Sequence, residues 1–367
     1  MKKALFFAFV LVVGMVASAQ ESIQWIGPLE VGAEVYGHGW KDMRNTYFRL
    51  PDKAEGVVPG SVWHLSRNST GLSLVFRSDA PTIWVRYQVT GGKSMFHMPS
   101  TGVSGVDMYA ADAKGAWHFV SPLFAPSIKD TLNYVFPRLE SPVTGEIGVP
   151  TTYRLSLPLY NSVAWMEIGV PEGCSVDFIP VPDEKPIVIY GSSITQGGCC
   201  SRPSMAWPSI VSTNLRREVV NLGFSGSGKG EKEVFDLIAE IDAEVLVLDC
   251  LPNMDLTLPI KDRIVYGVRK YRETHDCPIL LAEYSVCGHE GAVSAIYKEE
   301  ADAKNEKLRE AYQQLRKEGV KKIYYLSADE WDAGMDGYVE GLHPNDFGMK
   351  NLAAGMTKKL RKILKRR

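Results

Sequence analysis

The rhythm of hydrophobic and polar positions changes near residue 180. Upstream, Ile83, Val85, Tyr87 and Val89 alternate with Trp84, Arg86 and Gln88, the two-residue period of a half-buried strand. Residues 72–76, 106–110, 117–120, 153–157 and 164–170 are further strand candidates, with a hairpin turn at Asp112-Ala113-Lys114-Gly115. Residues 20–180 show almost no helical periodicity. Many short strands with Gly- and Pro-rich connections predict an all-β sandwich, jelly-roll-like. Downstream, apolar runs alternate with amphipathic segments. Residues 187–190, 245–248, 279–281 and 323–326 read as strands buried on both faces. Residues 205–217, 231–241 and 299–318 read as helices, and another runs from about residue 346 to the end. Thr257 is a candidate cap for one more, with Pro259 in its first turn. This succession predicts an α/β domain of three layers around a parallel sheet. The expected boundaries are a leader at 1–19, a sandwich at 20–180 and an α/β domain at 181–367, with residues 180–185 as the linker.

The leader assignment rests on Lys2 and Lys3, an apolar run at 4–16 and the small residues Ala17-Ser18-Ala19. That run is short for a bilayer span, and no other apolar stretch is long enough to cross one. The expectation is an exported protein, periplasmic or extracellular in a bacterium, with no membrane span once mature. A formal net charge of −2 gives no electrostatic footprint for nucleic acid. The Lys- and Arg-rich last ten residues read as the dipole-complementing end of a helix. Of the six cysteines (174, 199, 200, 250, 277 and 287), none lies in a Cys-x-x-Cys or at zinc-like spacing from a histidine. A metal site is not expected, and sequence leaves disulfide connectivity open.

Candidate chemistry gathers in segments far apart in sequence. Ser193 follows the apolar run 187–190 in Gly191-Ser192-Ser193-Ile194-Thr195, where the carboxyl end of a strand opens onto the ligand crevice. A serine needs a base. His343, in a loop stiffened by Pro344 before the last helix, is the candidate. Asn221-Leu222-Gly223-Phe224-Ser225-Gly226 follows a short strand at 218–220, and its glycines allow close backbone approach. The Gly226 N–H, the Ser193 N–H and the Asn253 side-chain amide make three donors for a developing oxyanion. Taken singly, Ser193 is an ordinary turn serine, His343 a surface histidine and the glycines a flexible turn. Together they form the inventory of an ester-cleaving enzyme. The loop 95–102, Met95 to Gly102, mixes apolar, polar and glycine residues and is a candidate recognition loop. Trp40, Trp63, Trp84 and Trp117 are compatible with a sugar surface or with a core.

These residues resemble the SGNH hydrolases, also called GDSL esterases, over roughly residues 185–367. The resemblance implies a flavodoxin-like domain with Ser193 as nucleophile, His343 as base, and Gly226 and Asn253 completing the oxyanion hole. It implies no cofactor. The upstream half is similar to the β-sandwich modules that precede such domains in bacterial carbohydrate esterases. Two departures stand out. Gly-Ser-Ser replaces Gly-Asp-Ser at residues 191–193, and Glu340 replaces the aspartate three residues before the histidine. Glu340 is the expected orienting acid, with Asp336 or a backbone carbonyl as alternatives. The Gly-x-Ser-x-Gly elbow of α/β-hydrolases is absent, since Thr195 stands in its last position. The expected activity is hydrolysis of an acyl ester, acetyl in particular, on a small molecule or polysaccharide. Aryl ester, thioester and lysophospholipid substrates stay open within the family. The competing expectation is a carbohydrate-binding protein whose esterase-like half is inactive.

Overall fold

The computed structural model describes residues 22–128, 130–286 and 297–365; the leader and Cys287 lie outside them. The upstream elements are β1 (Ile23–Ile26), α1 (Gly60–Ser66), β2 (Ser73–Ser78), β3 (Thr82–Val89), α2 (Ser100–Val103), β4 (Asp107–Ala111), β5 (Trp117–Val120), β6 (Leu123–Ile128), β7 (Thr131–Pro137), β8 (Thr151–Ser156), β9 (Val163–Pro171) and β10 (Val176–Phe178). They build two five-stranded antiparallel sheets, ordered β1-β9-β3-β7-β6 and β10-β2-β8-β4-β5. Alternation drives the packing. Ile83, Val85 and Tyr87 of β3 are fully buried and share one core with Leu74, Phe76, Met108, Phe136, Leu155 and Ile168 from both sheets. On the other face, Arg86 pairs with Glu167 at 2.5 Å across β3 and β9. The seven-residue helix α1 has no counterpart in the hydrophobic pattern, because two turns are too few to show a period.

Downstream come β11 (Ile187–Gly191), α3 (Ser193–Gln196), α4 (Trp207–Leu215), β12 (Val219–Gly223), α5 (Lys232–Ile238), β13 (Val245–Asp249), α6 (Ile260–Arg272), β14 (Ile279–Ala282), α7 (Lys298–Lys317), β15 (Ile323–Leu326) and α8 (Asp346–Leu364). The five strands are parallel, in the order β12-β11-β13-β14-β15. This is the doubly wound, flavodoxin-like order. Helix α4 packs on α8, while α5, α6 and α7 pack in series, giving the two helical layers. Every residue of β11, β12 and β13 is buried. Two local expectations shift. The strand expected at 218–220 runs on to Gly223, in register with Gly191. Thr257 does not cap α6: its N–H and hydroxyl both turn onto the Asp255 carboxylate, and the helix starts at Ile260.

The two halves share buried surface. Trp40, Met43, Leu50, Val62, Met98, Val103 and Leu159 from the upstream half belong to the same apolar cluster as the parallel sheet. Polar clasps accompany it. Asp107 of β4 takes hydrogen bonds from Arg202 Nη1 (2.6 Å), Ser204 N (3.1 Å) and Ser204 Oγ (2.7 Å), and Tyr109 OH meets Arg202 at 2.8 Å. The linker is pinned as well: Tyr36 OH donates to Pro180 O at 2.8 Å, and Val181 N donates to Glu34 at 2.8 Å.

Candidate active site

Gly191 ends β11, and its Cα faces the first turn of α3 so closely that a Cβ there would collide with Thr195 Oγ1. Ser192 is the N-cap of α3, its hydroxyl accepting from Ile194 N at 3.3 Å. Serine and aspartate serve about equally well as N-caps, which gives the Gly-Ser-Ser departure a physical reading. Ser193 is the first helical residue, where an N–H has no intrahelical acceptor. Helix α3 stops after one turn at Gly197.

His343 sits in a loop closed by the bridge between Tyr338 and Pro344. Asn345 caps α8 by accepting from Phe347 N (3.0 Å) and Gly348 N (3.1 Å), and it donates to Asp336 O at 2.8 Å. Asp346 then takes Ser201 N (2.9 Å) and Ser201 Oγ (2.5 Å), tying the histidine loop to the turn that follows α3. The result brings Ser193 Oγ to 2.9 Å from His343 Nε2, and His343 Nδ1 against a Glu340 oxygen. The other Glu340 oxygen accepts from His343 N at 2.8 Å and from Leu342 N at 3.3 Å. Partial burial works to raise the Glu340 pKa, but the hydrogen bonds and charge of His343 outweigh it and hold the carboxylate below its usual range. Among the described residues, Asp336 meets the loop only through its backbone oxygen, at Asn345. With Nδ1–H facing Glu340, the neutral imidazole leaves Nε2 free to accept the serine proton.

The loop after β12 has its N–H groups almost fully engaged. Gly223 N donates to Asn221 Oδ1 (2.9 Å), Phe224 N to Gly191 O (3.0 Å), Ser225 N to Gln196 Oε1 (2.9 Å) and Ser227 N to Phe224 O (3.0 Å). Gly226 N–H donates to no group among the described residues. Gly226 adopts φ +64°, where L side chains are strained, and a Cβ there would meet nothing within 4 Å. Asn253 differs from expectation. Its Nδ2 donates to Phe224 O at 3.1 Å and to Ser227 O, so both amide hydrogens face loop carbonyls and neither is presented to an incoming oxygen. The carbonyls demand donors, and Asn253 satisfies them.

The sandwich half reaches this site. Tyr160 OH donates to Ser193 O at 3.2 Å. His97, in the loop 95–102, has its ring centroid 5.8 Å from that of His343, and the fully exposed Phe96 ring lies 4.6 Å from His97. Gln196 Nε2 meets Leu159 O (3.1 Å) and Asn68 Oδ1 (3.2 Å). Arg49, 2 % exposed, donates to Asn221 O (3.1 Å), Gly223 O (2.6 Å), Leu65 O (2.7 Å) and Asn68 O (3.0 Å). Three of the tryptophans are not open sugar platforms. Trp40 is buried on Glu240, while Trp63 and Trp117 lie under Arg67 and Arg154. Sequence reasoning had singled out the loop 95–102 but missed Arg49, Tyr160 and Gln196. For Gln196 a signal existed, since it lies three residues after Ser193 in a turn of helix. Among the described residues no cluster of His, Cys, Asp or Glu is arranged to hold a metal, and no helix is long and apolar enough to cross a membrane.

Residues 184–361 match the family described as GDSL-like Lipase/Acylhydrolase, and residues 23–176 match GxDLY, the N-terminus of Esterase_SGNH_hydro-type. Gly105-Val106-Asp107-Met108-Tyr109 follows the second name except that Met108 stands in the place of its leucine, and its Asp107 and Tyr109 form the clasp on Arg202. Among solved structures, the chain is 30% identical to a provisionally assigned GDSL-like lipase from Bacteroides ovatus, over 94% of this chain and 98% of that one, with a TM-score of 0.83. It shares its fold with the salicylyl-acyltransferase SsfX3 of a tetracycline biosynthetic pathway (20% identity, 93% and 97% covered, TM-score 0.69). A family two carbohydrate esterase from Cellvibrio japonicus has the same fold at 13% identity (94% and 99% covered, TM-score 0.57). None of the curated proteins matches the chain.

Proposed function

The chain belongs to the GDSL-like lipase/acylhydrolase family, and from that premise we propose that it is an exported serine esterase that hydrolyses acyl esters, acetyl esters of carbohydrates in particular. The observation that carries this reading is the continuous line from Ser193 Oγ through His343 to Glu340. Ser193 Oγ attacks the ester carbonyl while His343 Nε2 takes its proton. Glu340 holds the Nδ1–H tautomer and stabilises the imidazolium. The tetrahedral oxyanion is received by the N–H groups of Ser193 and Gly226, while Asn253 keeps the loop that presents Gly226 in shape. His343 returns the proton to the leaving alcohol. A water molecule, deprotonated by the same nitrogen, then releases the acid from the acyl-enzyme.

The departures that favoured an inactive, glycan-binding half are both accommodated. Ser192 caps α3, and the longer Glu340 side chain reaches Nδ1. Export rests on the leader at 1–19. The carbohydrate assignment draws on that leader and on the two-part fold shared with a carbohydrate esterase. A fluorophosphonate probe should label the protein on Ser193, located by mass spectrometry, and Ser193→Ala should abolish acetate release from aryl acetates and acetylated glycans. Labelling of a different serine, or full activity in Ser193→Ala, would remove the assignment.

A further inference from the structure

Arg49 lies outside every expected catalytic segment, yet it is bound to the strand end from which the Gly226 loop departs. Its guanidinium is buried, and no carboxylate pairs with it among the described residues. An arginine without a counter-ion in such a place is costly unless its donors are met. Here all four partners are backbone carbonyls, two from the parallel sheet and two from the upstream segment. The cation also stands 4.8 Å from the centre of the Phe224 ring. Burial pulls its pKa down from the ordinary arginine range, and the group stays cationic at pH 7.

Phe224 is therefore fixed from several directions. Arg49 holds the preceding carbonyl and faces the ring, Gly191 O holds the N–H, and Asn253 holds the carbonyl. Gln196 fixes the next N–H, at Ser225, and it is itself held by Asn68, whose backbone carbonyl binds Arg49. The residue that follows this clamp is Gly226, whose N–H donates to no group among the described residues. We propose that Arg49 is a positioning residue for the oxyanion hole: a cation supplied by the sandwich half that fixes Gly223 and Phe224 and thereby aims the Gly226 N–H at the reacting oxygen. The inference rests on the esterase reading above. Its two consequences are a loss confined to the transition state and a dependence on the guanidinium fork rather than on charge alone.

The test compares wild type, Arg49→Lys, Arg49→Ala and Ser193→Ala on an aryl acetate, with near-ultraviolet circular dichroism as the check of fold. Arg49→Lys should lose about tenfold to a hundredfold in kcat, less than the roughly 10²- to 10³-fold cost of removing an oxyanion donor outright, with KM little changed. Millimolar methylguanidinium should restore part of the activity of Arg49→Ala and none of that of Ser193→Ala. Folded Arg49 variants with wild-type kcat would overturn the inference. So would a loss in KM alone, or native fold lost in both variants, which would make Arg49 a general strut. An inactive wild type, or an active Ser193→Ala, would instead strike the esterase reading itself.

Discussion

At Glu340, one methylene more than an aspartate lets a single carboxylate perform two tasks. One oxygen meets the imidazole and the other accepts the backbone N–H groups of residues 342 and 343. Glu340→Gln keeps the length and removes the charge. It should lower kcat/KM by about 10²- to 10⁴-fold with no loss of fold, because the imidazolium loses its partner and the tautomer its anchor. An activity within twofold of wild type, read by aryl acetate kinetics, would take Glu340 out of the mechanism. A second carboxyl, Asp249, is buried at the end of β13 and bonded to Thr195 Oγ1 at 2.6 Å. Burial pushes its pKa up to about 7 against the lowering effect of Thr195. The folded state thus binds a proton more tightly than the unfolded state, whose aspartates titrate near about 3.9. Stability should fall as pH rises from there through about 7 and then level off. Asp249→Asn should remove this slope, melting higher than wild type at pH 8 and alike at pH 4. Parallel melting curves across that range would show that Asp249 does not titrate there. Ser193, His343 and Glu340 were legible in sequence because each carries chemistry in its residue type and place. Arg49 and Tyr160 were not, because their partners are backbone carbonyls, which every residue owns.

Among the elements, most strands were readable where burial alternates or runs unbroken, as in β3 and β11, but β6 and β7 were missed although β7 alternates through Tyr134 and Phe136. Short pieces set by tertiary contact were not readable. Helix α1 has too few turns for a period, and β1 and β10 are edge strands of four and three residues. The candidate recognition loop 95–102 is another such piece. Its Phe96–His97 step stands beside His343, the proposed donor of a proton to the leaving alcohol. A fully exposed ring there is suited to lie against a cyclic alcohol, and a ring contact of this kind is worth about 0.5–1.5 kcal/mol. Phe96→Ala should therefore lower kcat/KM about two- to tenfold for esters of ring-bearing alcohols, whether phenyl or sugar, and leave ethyl acetate unchanged. Equal effects on all three esters would exclude an alcohol-reading role for this loop.

For the molecule as a whole, the shared core decides how the halves behave apart. A fragment starting at residue 181 would expose the surface now covered by Trp40, Leu50, Val62 and Leu159 and would leave the carbonyls of Asn221 and Gly223 without Arg49. It should lose activity on a small aryl ester as completely as on a polymer and should give no cooperative melting transition. The intact chain should instead unfold in one calorimetric transition, with calorimetric and van't Hoff enthalpies in agreement. Two resolved transitions, or an active fragment, would show that the halves are autonomous. The change of pattern near residue 180 marks a real change of architecture. It carries no information on whether the two architectures share a core, because interface residues such as Leu50 and Val62 look like any other buried apolar position.

The clasp between Arg49 and Gly223 spans 174 residues, and the Ser193–His343 bond spans 150. Neither contact exists until segments distant in the sequence meet, the kind of non-local pairing that slows folding. On the proposed function, a chain that stops before residue 343 or has lost the residues up to 49 lacks part of this constellation, so acetate release would count only whole molecules.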